Sequence, residues 1–245
     1  MRKFGLIGHP LTHSFSKKYF EEKFEKEGIE GCSYELFDIP NAFDLEEILS
    51  EDPEIEGINV TIPHKEDVIA LMDDLEEACE EIGAVNCIHI QDGIRTGYNT
   101  DYIGFKNSLS PWLSSVKPKA LILGTGGASK AIKQALIDLD IDFLNVSRSE
   151  DEDQITYEDL ASDPEIMKSH HLIINTTPLG TFPNDEGMPA IPLDQLSADH
   201  FVYDLVYNPP VTALMKACLD KGGKAKNGHE MLILQAEASW EIWNS

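Results

Sequence analysis

Short apolar runs alternate with amphipathic helical segments along most of this 245-residue chain. The run KFGLIG at residues 3–8 is typical of a buried strand, and residues 13–28 follow it with aromatic side chains at helical spacing. Ser14 and Gly28 are the expected start and stop signals of that helix. The same strand–helix order recurs several times. Because each βαβ unit joins parallel strands through a helix, we predict an α/β fold with mostly parallel sheets.

The remaining elements are predicted from the same periodicities. Further strands are expected at SYELFDI (33–39), GINVTI (57–62), AVNCIHI (84–90), ALILG (120–124), DFLNVS (142–147), HLIINTT (171–177) and HFVYDLVY (200–207). Helices are expected at residues 42–53, about 64–73, 128–139 and 230–243. A first α/β layer ends near residue 102, and the two prolines of SPWLSSVKPK (110–119) indicate the entry to a second unit. Trp240 and Trp243, three residues apart on the last helix, are expected to pack in a core.

The charge of the chain limits its partners. Acidic residues outnumber basic ones by 44 to 19, which gives a formal net charge of −25. Most of the surface therefore repels a nucleic-acid backbone or an anionic membrane, and we predict neither as a partner. An anionic ligand must be bound by local groups.

The cysteines and the N-terminus favour a cytoplasmic protein. Cys32, Cys79, Cys87 and Cys218 show no CxxC spacing and are too few for a disulfide scaffold, so reduced thiols are expected. The first apolar run is broken at His9 and Pro10, too early for a signal peptide or a membrane span. No metal site is predicted.

The segment GTGGASKA at residues 124–131 follows an apolar strand and opens a helix, which is the setting of a dinucleotide-binding turn. Gly124 allows the tight turn, and Gly126 lets the backbone approach a pyrophosphate. Ser129 stands at the third glycine position, where a small residue still permits close packing. A glycine-rich turn without a ligand is the alternative interpretation.

The strand after this turn ends in Ser147, Arg148 and Ser149, where an acidic residue would bind the ribose 2′-hydroxyl of NAD. Hydroxyl groups and an arginine suit a 2′-phosphate instead, so the sequence favours NADP. The acidic run 150–153 follows at once and would weaken that preference if its carboxylates point inward, so NAD stays possible.

The segment NVTIPHK at residues 59–65 places a lysine where a helix is expected to begin. An amine at the positive end of a helix binds its proton less tightly, which would let Lys65 exchange a proton near neutral pH. Asp101, after a turn that follows another strand, is the candidate carboxylate partner. Both residues would lie beyond strand carboxyl ends, where α/β proteins bind ligands. A solvated lysine and a plain helix cap are the alternatives.

Eight ordered motifs resemble those of the shikimate dehydrogenase family and span nearly the whole chain. They are GHPLTHSFS (8–16), INVTIPHK (58–65), IGAVNCI (82–88), GYNTDYIG (97–104), LGTGGASKA (123–131), INTTPLG (174–180), YNPPVT (207–212) and NGHEMLILQA (227–236). The resemblance implies the reversible reduction of 3-dehydroshikimate to shikimate with NADPH, on the route to aromatic amino acids. It implies two α/β domains flanking a cleft: residues 1–102 plus 229–245 for substrate, and a Rossmann-like doubly wound domain, 103–228, for NADP.

The resemblance also implies the site residues. Lys65 and Asp101 would be the catalytic general acid/base pair. The substrate would be bound by Ser14, Ser16, Thr61, Asn86, Tyr207 and Gln235. The cofactor would be bound by Gly124, Gly126, Gly127, Ala128, Ser147, Arg148, Ser149, Asn175, Thr176, Thr177 and Gly228.

Some residues depart from the family pattern and leave alternatives open. Lys17 replaces the usual proline after the Ser-x-Ser pair, Ser147 replaces the usual asparagine, and a basic residue expected after Arg148 is missing. A quinate or dual quinate/shikimate dehydrogenase that uses NAD is the main alternative, followed by another Rossmann reductase and a non-catalytic metabolite sensor. His13 and His64 are expected to have structural roles near the substrate site. The chain is expected to be a monomer or a homodimer.

Overall fold

The computed structural model describes residues 1–11, 14–151 and 153–245 and divides into two compact units. The first unit comprises Met1–Thr100 with Gln235–Ser245, and the second comprises Asp101–Leu234. Each unit is built around a six-stranded sheet. The α/β class predicted from the sequence is confirmed.

The sheet of the first unit is mixed. Its strands are β1 (Arg2–Gly8), β2 (Cys32–Asp38), β3 (Ile55–Val60), β4 (Asp74–Leu75), β5 (Cys87–Gln91) and β6 (Ile94–Tyr98), in the order β2-β1-β3-β5-β6-β4. Its helices include α1 (Phe15–Glu27), α2 (Leu45–Glu51) and α3 (Glu77–Ile82). Strand β1 runs parallel to β2 and β3, whereas β5 is antiparallel to both β3 and β6. Strand β4 is parallel to β6, so every strand of this sheet except β5 runs in the same direction, and the expectation of a mostly parallel sheet is confirmed. Asp92 and Gly93 both have positive φ, and they turn the chain between β5 and β6.

Helix α1 begins and ends as predicted. The Ser14 side chain accepts a hydrogen bond from the Lys17 N–H, and Gly28 adopts the left-handed conformation at the other end.

The prediction of a helix over about residues 64–73 is wrong, because no α-helix forms there. Residues 62–66 form turns, and only a short 3-10 helix follows at Asp67–Leu71. The Lys65 carbonyl accepts a hydrogen bond from the Val85 N–H (2.8 Å). Because this tertiary contact uses the carbonyl that would bond within an α-helix, packing overrides the local helical preference. Lys65 therefore does not stand at the start of an α-helix, and the helix-dipole argument for its reactivity lapses.

The sheet of the second unit is entirely parallel. Its strands are β7 (Ala120–Leu123), β8 (Phe143–Ser147), β9 (Gln154–Thr156), β10 (Leu172–Asn175), β11 (Phe201–Asp204) and β12 (Lys224–Asn227), in the order β12-β11-β10-β7-β8-β9. Its helices are α4 (Thr100–Leu113), α5 (Gly127–Asp138), α6 (Tyr157–Ser162), α7 (Pro164–Ser169) and α8 (Ala213–Asp220). A last helix, α9 (His229–Ile242), begins in this unit and continues into the first unit from Gln235. Helix α4 continues through Pro111, so residues 110–113 are helical and not part of a linker.

Helices cover both faces of this parallel sheet, as the doubly wound prediction requires. One apolar cluster joins the sheet to α4, α5 and the start of α9, and the other joins it to α6, α7 and α8. From β7 the chain first moves to β8 and β9, and it then returns to β10 on the other side. The carboxyl ends of β7 and β10 thus form the switch point where such sheets bind ligands.

The end of α9 completes the core of the first unit. Trp243 is 1% exposed, stacks on Phe4 with ring centroids 4.8 Å apart, and donates a hydrogen bond from its indole nitrogen to the Ile88 carbonyl (3.0 Å). Trp240 packs edge-on against Phe4. The predicted core role of the tryptophan pair is confirmed.

Candidate functional site

The cofactor residues predicted in the second unit lie at the carboxyl edge of its sheet. Gly124 follows β7, Ser147 ends β8, Asn175 ends β10 and Gly228 follows β12. Strand pairing is in register across β7 and β10, which places Gly124 beside the segment after Asn175. Residues scattered over more than 100 positions of sequence therefore share one edge.

The glycine turn combines a constrained position with an open one. Gly124 has φ +108°, and a β-carbon there would lie 2.9 Å from the Thr176 Oγ1 atom and 3.0 Å from the Thr177 Cγ2 atom. At Gly126 and Gly127, apart from the adjacent residues and the backbone of the helix itself, no heavy atom of the described chain lies within 4 Å of where a β-carbon would stand. The first N–H groups of α5 follow this open space, so the turn can cradle a pyrophosphate. This geometry fits a dinucleotide.

The end of β8 carries hydroxyl groups and one arginine. Ser147 is buried, whereas Arg148 and Ser149 are exposed, and the Ser147 Oγ atom accepts a 3.4 Å hydrogen bond from the Ser149 N–H. Of the acidic run, Glu150, Asp151 and Asp153 are exposed, and Glu152 lies outside the described residues. No acidic side chain ends the strand itself, which fits a 2′-phosphate better than a ribose hydroxyl.

The loop after β10 is fixed by side-chain contacts. Thr176 donates a hydrogen bond from Oγ1 to the Leu123 carbonyl (2.7 Å), which ties this loop to the end of β7. Thr177 donates from both its backbone N–H (3.0 Å) and its hydroxyl (2.7 Å) to the Asn175 side-chain oxygen. Asn175 is fully buried, and its side chain holds Thr177 in place through these two hydrogen bonds.

Asp204, at the end of β11, belongs to this edge and was missed from the sequence. It is fully buried and accepts hydrogen bonds from Asn175 and Thr212 side chains and from the Val206 N–H. Burial raises the pKa of Asp204, and these three donors oppose the shift. The available signal was an aspartate closing an apolar strand just before YNPP.

Two of the substrate residues predicted in the first unit, Thr61 and Asn86, lie at one edge of its sheet. Thr61 follows β3, and Asn86 precedes β5, which runs in the opposite direction. The Val60 N–H donates to the Asn86 carbonyl (2.8 Å), and Lys65 is tied to the same segment through Val85. Lys65 and Thr61 are half-buried, so their side chains retain access to a ligand.

A buried network of hydrogen bonds supports this edge. The Asn86 side-chain oxygen accepts from the Thr100 N–H (2.6 Å) and hydroxyl (3.1 Å). Thr100 also contacts the Gln235 Oε1 atom (3.4 Å) and the Ser239 hydroxyl (3.2 Å). Asn59 extends the network, because its amide nitrogen donates to Ser239 (2.9 Å). Two of the predicted substrate residues, Asn86 and Gln235, are thus held in one assembly.

Tyr34 links the network to α1. Its hydroxyl donates to the Asn59 side-chain oxygen (2.8 Å) and lies beside the Ser16 side chain, while burial raises its pKa strongly. Ser14 acts as the helix cap, so its hydroxyl already accepts one hydrogen bond at 3.5 Å. The sequence did not reveal Tyr34, whose partners are distant in the chain.

The proposed catalytic pair is divided between the two units. Lys65 belongs to the first unit, and Asp101 lies in the first turn of α4 in the second. Tyr207, also in the second unit, is 39% exposed. The approach of Lys65 to Asp101 therefore stays a prediction.

The histidine predictions have different outcomes. His64 is 1% exposed, and its Nε2 atom forms a 2.7 Å hydrogen bond with the Ile39 carbonyl, which confirms a structural role. His13 lies outside the described residues. Across the described ranges, no group of three or more His, Cys, Asp or Glu side chains could hold a metal ion. Nor does any helix in the described part of the chain have the length and apolar character to span a membrane.

The fold and the open glycine turn define a nucleotide-binding α/β protein with a second α/β unit. A family model described as the shikimate dehydrogenase substrate binding domain matches residues 6–88. A shikimate dehydrogenase (NADP(+)) of Methanosphaera stadtmanae is 36% identical over 256 residues, covering 98% of this chain and 90% of the relative. The chain belongs to the shikimate dehydrogenase family.

Solved structures agree with this assignment. The chorismate mutase/shikimate 5-dehydrogenase fusion protein from Clostridium acetobutylicum is 34% identical, with a TM-score of 0.88 and coverage of 100% of this chain and 91% of that one. Shikimate 5-dehydrogenase from Thermus thermophilus, in complex with NADP(H) and shikimate, is 28% identical, with a TM-score of 0.87 and coverage of 99% and 93%. The resemblance seen in the motifs is confirmed.

Proposed function

We propose that this protein catalyses the reversible NADPH-dependent reduction of 3-dehydroshikimate to shikimate, a step toward aromatic amino acids. The observation that carries the proposal is the 36% identity to an NADP(+) shikimate dehydrogenase over 98% of the chain. The local geometry supports it, because an open glycine turn lies at the switch point of one sheet and a polar edge lies on the other. The protein is therefore an oxidoreductase.

The second unit is proposed to bind NADP. Gly126, Gly127 and Ala128 would receive the pyrophosphate on the N–H groups that open α5. Ser147, Arg148 and Ser149 would bind the 2′-phosphate. When bound, NADPH supplies the hydride. The loop 175–177 and Gly228 would shape the pocket for the reactive ring, where a side chain at Gly228 would collide with the Leu205 carbonyl.

The first unit is proposed to bind the substrate through hydroxyl and amide groups. Ser14 and Ser16 would donate to the carboxylate, while Thr61, Asn86 and Gln235 would bind the ring hydroxyls, with Tyr207 contributed by the second unit. Asn86 and Gln235 are 3% and 8% exposed, so each arrives with its orientation already set. Residues held in place before binding lose little conformational freedom when the ligand arrives.

Lys65 and Asp101 are proposed to move the proton. The Lys65 ammonium would donate a proton to the carbonyl oxygen of the substrate as the carbon is reduced, and the Asp101 carboxylate would orient the amine. In the reverse direction the amine would accept the hydroxyl proton. Support comes from the family motifs that hold both residues and from the position of Lys65 beside the segment that carries Asn86.

The division of labour follows the family. Residues 1–102 with 229–245 are proposed as the substrate domain and 103–228 as the NADP domain, and the enzyme is proposed to work in the cytoplasm.

Steady-state rates with shikimate and quinate, each against NADP⁺ and NAD⁺, test the function. We expect the highest kcat/KM with shikimate and NADP⁺. A higher kcat/KM with quinate and NAD⁺ would favour the alternative enzyme, for which the exposed acidic residues after Arg148 are the supporting observation.

The role of Lys65 is tested by Lys65→Met. A general acid contributes roughly 100-fold or more to the rate, so kcat should fall by at least that factor while KM changes only a few-fold. Lys18→Met is the matched control, since the Lys18 side chain is 79% exposed on α1. A kcat within fivefold of the wild type for Lys65→Met would refute the proton role.

A further inference from the structure

Asp204 is a buried acidic residue without a place in the chemistry described above. It ends β11 and is fully buried. Its Oδ1 atom accepts hydrogen bonds from the Asn175 Nδ2 group (2.9 Å) and the Val206 N–H (3.1 Å), and its Oδ2 atom accepts from the Thr212 hydroxyl (2.6 Å). All three partners donate, so the charged carboxylate fits this site, and charge-assisted hydrogen bonds of this kind are strong ones.

The first of these contacts sets the shape of the loop after β10. The Asn175 amide nitrogen donates to Asp204 and to the Leu179 carbonyl (3.3 Å), which leaves the amide oxygen facing Thr177. That oxygen accepts both hydrogen bonds that Thr177 donates. Because an amide side chain has one donor end and one acceptor end, Asp204 fixes which end faces the loop.

The other two contacts hold both ends of the next loop. Val206 begins the segment that follows β11, and Thr212 ends it as the N-cap of α8, where it also accepts the Met215 N–H (3.2 Å). Tyr207 lies between these two anchors and is 39% exposed. One carboxylate therefore closes the loop 205–212 that presents Tyr207.

We propose that Asp204 is a positioning residue that holds the cofactor-side loop 175–180 and the Tyr207 loop 205–212 in a single binding-competent arrangement. The proposal rests on the proposed function, because it assigns these loops to NADP and substrate. Asp204 itself touches neither ligand. Its effect passes through Asn175 on one side and through Val206 and Thr212 on the other.

Asp204→Asn tests the proposal, because it keeps the shape of the side chain and removes the charge. The new amide keeps only one acceptor oxygen, and its N–H₂ group must face at least one of the three groups that now donate to the carboxylate. We expect the Kd of NADP⁺ and the KM of shikimate to rise about tenfold each, the value that corresponds to about 1.4 kcal/mol in binding. We also expect faster hydrogen exchange at the Thr177 and Val206 amides, measured by NMR without ligands.

Thr212 allows an independent test, because its hydroxyl donates to the second oxygen of Asp204, Oδ2. Thr212→Val removes the hydroxyl and should raise the KM of shikimate and accelerate exchange at Val206. Thr212→Ser keeps the hydroxyl and should restore values close to the wild type. Should Asp204→Asn not fold, this pair decides: equal KM and exchange in the valine and serine variants would overturn the proposal.

His200→Gln is the matched control for a general loss of stability. His200 lies just before the opposite end of β11, is 2% exposed, and contacts the Met167 carbonyl through Nε2 (3.1 Å). This variant should lower the melting temperature and leave NADP⁺ binding and kcat/KM unchanged. If Asp204→Asn likewise lowers only the melting temperature, with the Kd of NADP⁺ within twofold of the wild type, the positioning role is refuted. A wild-type protein that fails to oxidise shikimate with NADP⁺ would instead refute the proposed function.

Discussion

The same substitution at two neighbouring glycines should separate folding from cofactor binding. Gly124 has φ +108°, a conformation that side-chain-bearing residues rarely adopt, and its surroundings are close. Gly126 has φ −76° and ψ −179°, an extended conformation open to any residue, and faces empty space in the described chain. We therefore expect Gly124→Ala to destabilise the second unit and Gly126→Ala to affect only the binding of NADP⁺.

The magnitudes follow from these surroundings. A non-glycine residue held at positive φ costs roughly 1–3 kcal/mol. At Gly124 the new methyl group would also lie 2.9 Å from the Thr176 Oγ1 atom, which is tied to the Leu123 carbonyl and cannot move without loss of that hydrogen bond. We expect a total near 3 kcal/mol, or a fall in melting temperature of roughly 6–12 °C.

For Gly126→Ala, two small effects oppose each other. Lower backbone freedom in the unfolded chain favours alanine by about 0.4–1 kcal/mol, whereas alanine is a poorer N-cap than glycine by a similar amount. The free energy of unfolding should stay within about 0.5 kcal/mol of the wild type. The methyl group projects where the pyrophosphate must approach the backbone, so the Kd of NADP⁺ should rise at least tenfold.

Urea unfolding and calorimetric titration with NADP⁺ measure both quantities on the same samples. Binding of NADP⁺ to Gly126→Ala within twofold of the wild type would show that the nucleotide does not lie on this turn. Equal stability losses for the two variants would refute the steric reasoning.

Two further outcomes are expected for stability. In the second unit, the pKa of the Asp138 carboxyl is lowered from 3.8, mainly by its hydrogen bond with Lys106 and then by that with Tyr102. The charged Asp138 carboxylate therefore stabilises the folded state above about pH 4, and this contribution is lost as pH falls through the lowered pKa. Lys106→Met should therefore cost about 0.5–1 kcal/mol at pH 7, a difference that narrows toward pH 3 in urea unfolding, and a constant difference would contradict the assignment. In the first unit, Trp243→Phe removes ring volume and the hydrogen bond to the Ile88 carbonyl, so the free energy of unfolding should fall by about 2 kcal/mol or more; a loss under about 0.5 kcal/mol would contradict the core role.

Features that depend on neighbouring residues were predictable from the sequence. Helix α1 has its cap and its stop at Ser14 and Gly28, and the glycine turn follows β7 as its spacing indicates. The hairpin at Asp92 and Gly93 carried an equally local signal, a DG pair between two strands, and its omission left β6 and the reversed direction of β5 unpredicted.

Features that depend on distant residues were not predictable. The helix expected over residues 64–73 fails because Val85, 20 residues away, takes the Lys65 carbonyl. Asp204 and Asn59 are ordinary polar residues in the sequence, and their importance appears only when strands far apart in the chain bring partners to them. The family motifs carry the residues that are proposed to contact ligands, whereas nothing in the motifs indicates which buried polar residues support them.

The arrangement of the first unit has a consequence for biosynthesis. Its core needs Trp243 against Phe4 and Phe20, yet the ribosome makes residues 235–245 only after the whole second unit. The second unit is continuous in sequence, so all of its residues are made before the segment that completes the core of the first unit. The first unit exposes part of its apolar core until the end of α9 has been made. Mutations that weaken α9 should therefore first lower the yield of folded protein during synthesis.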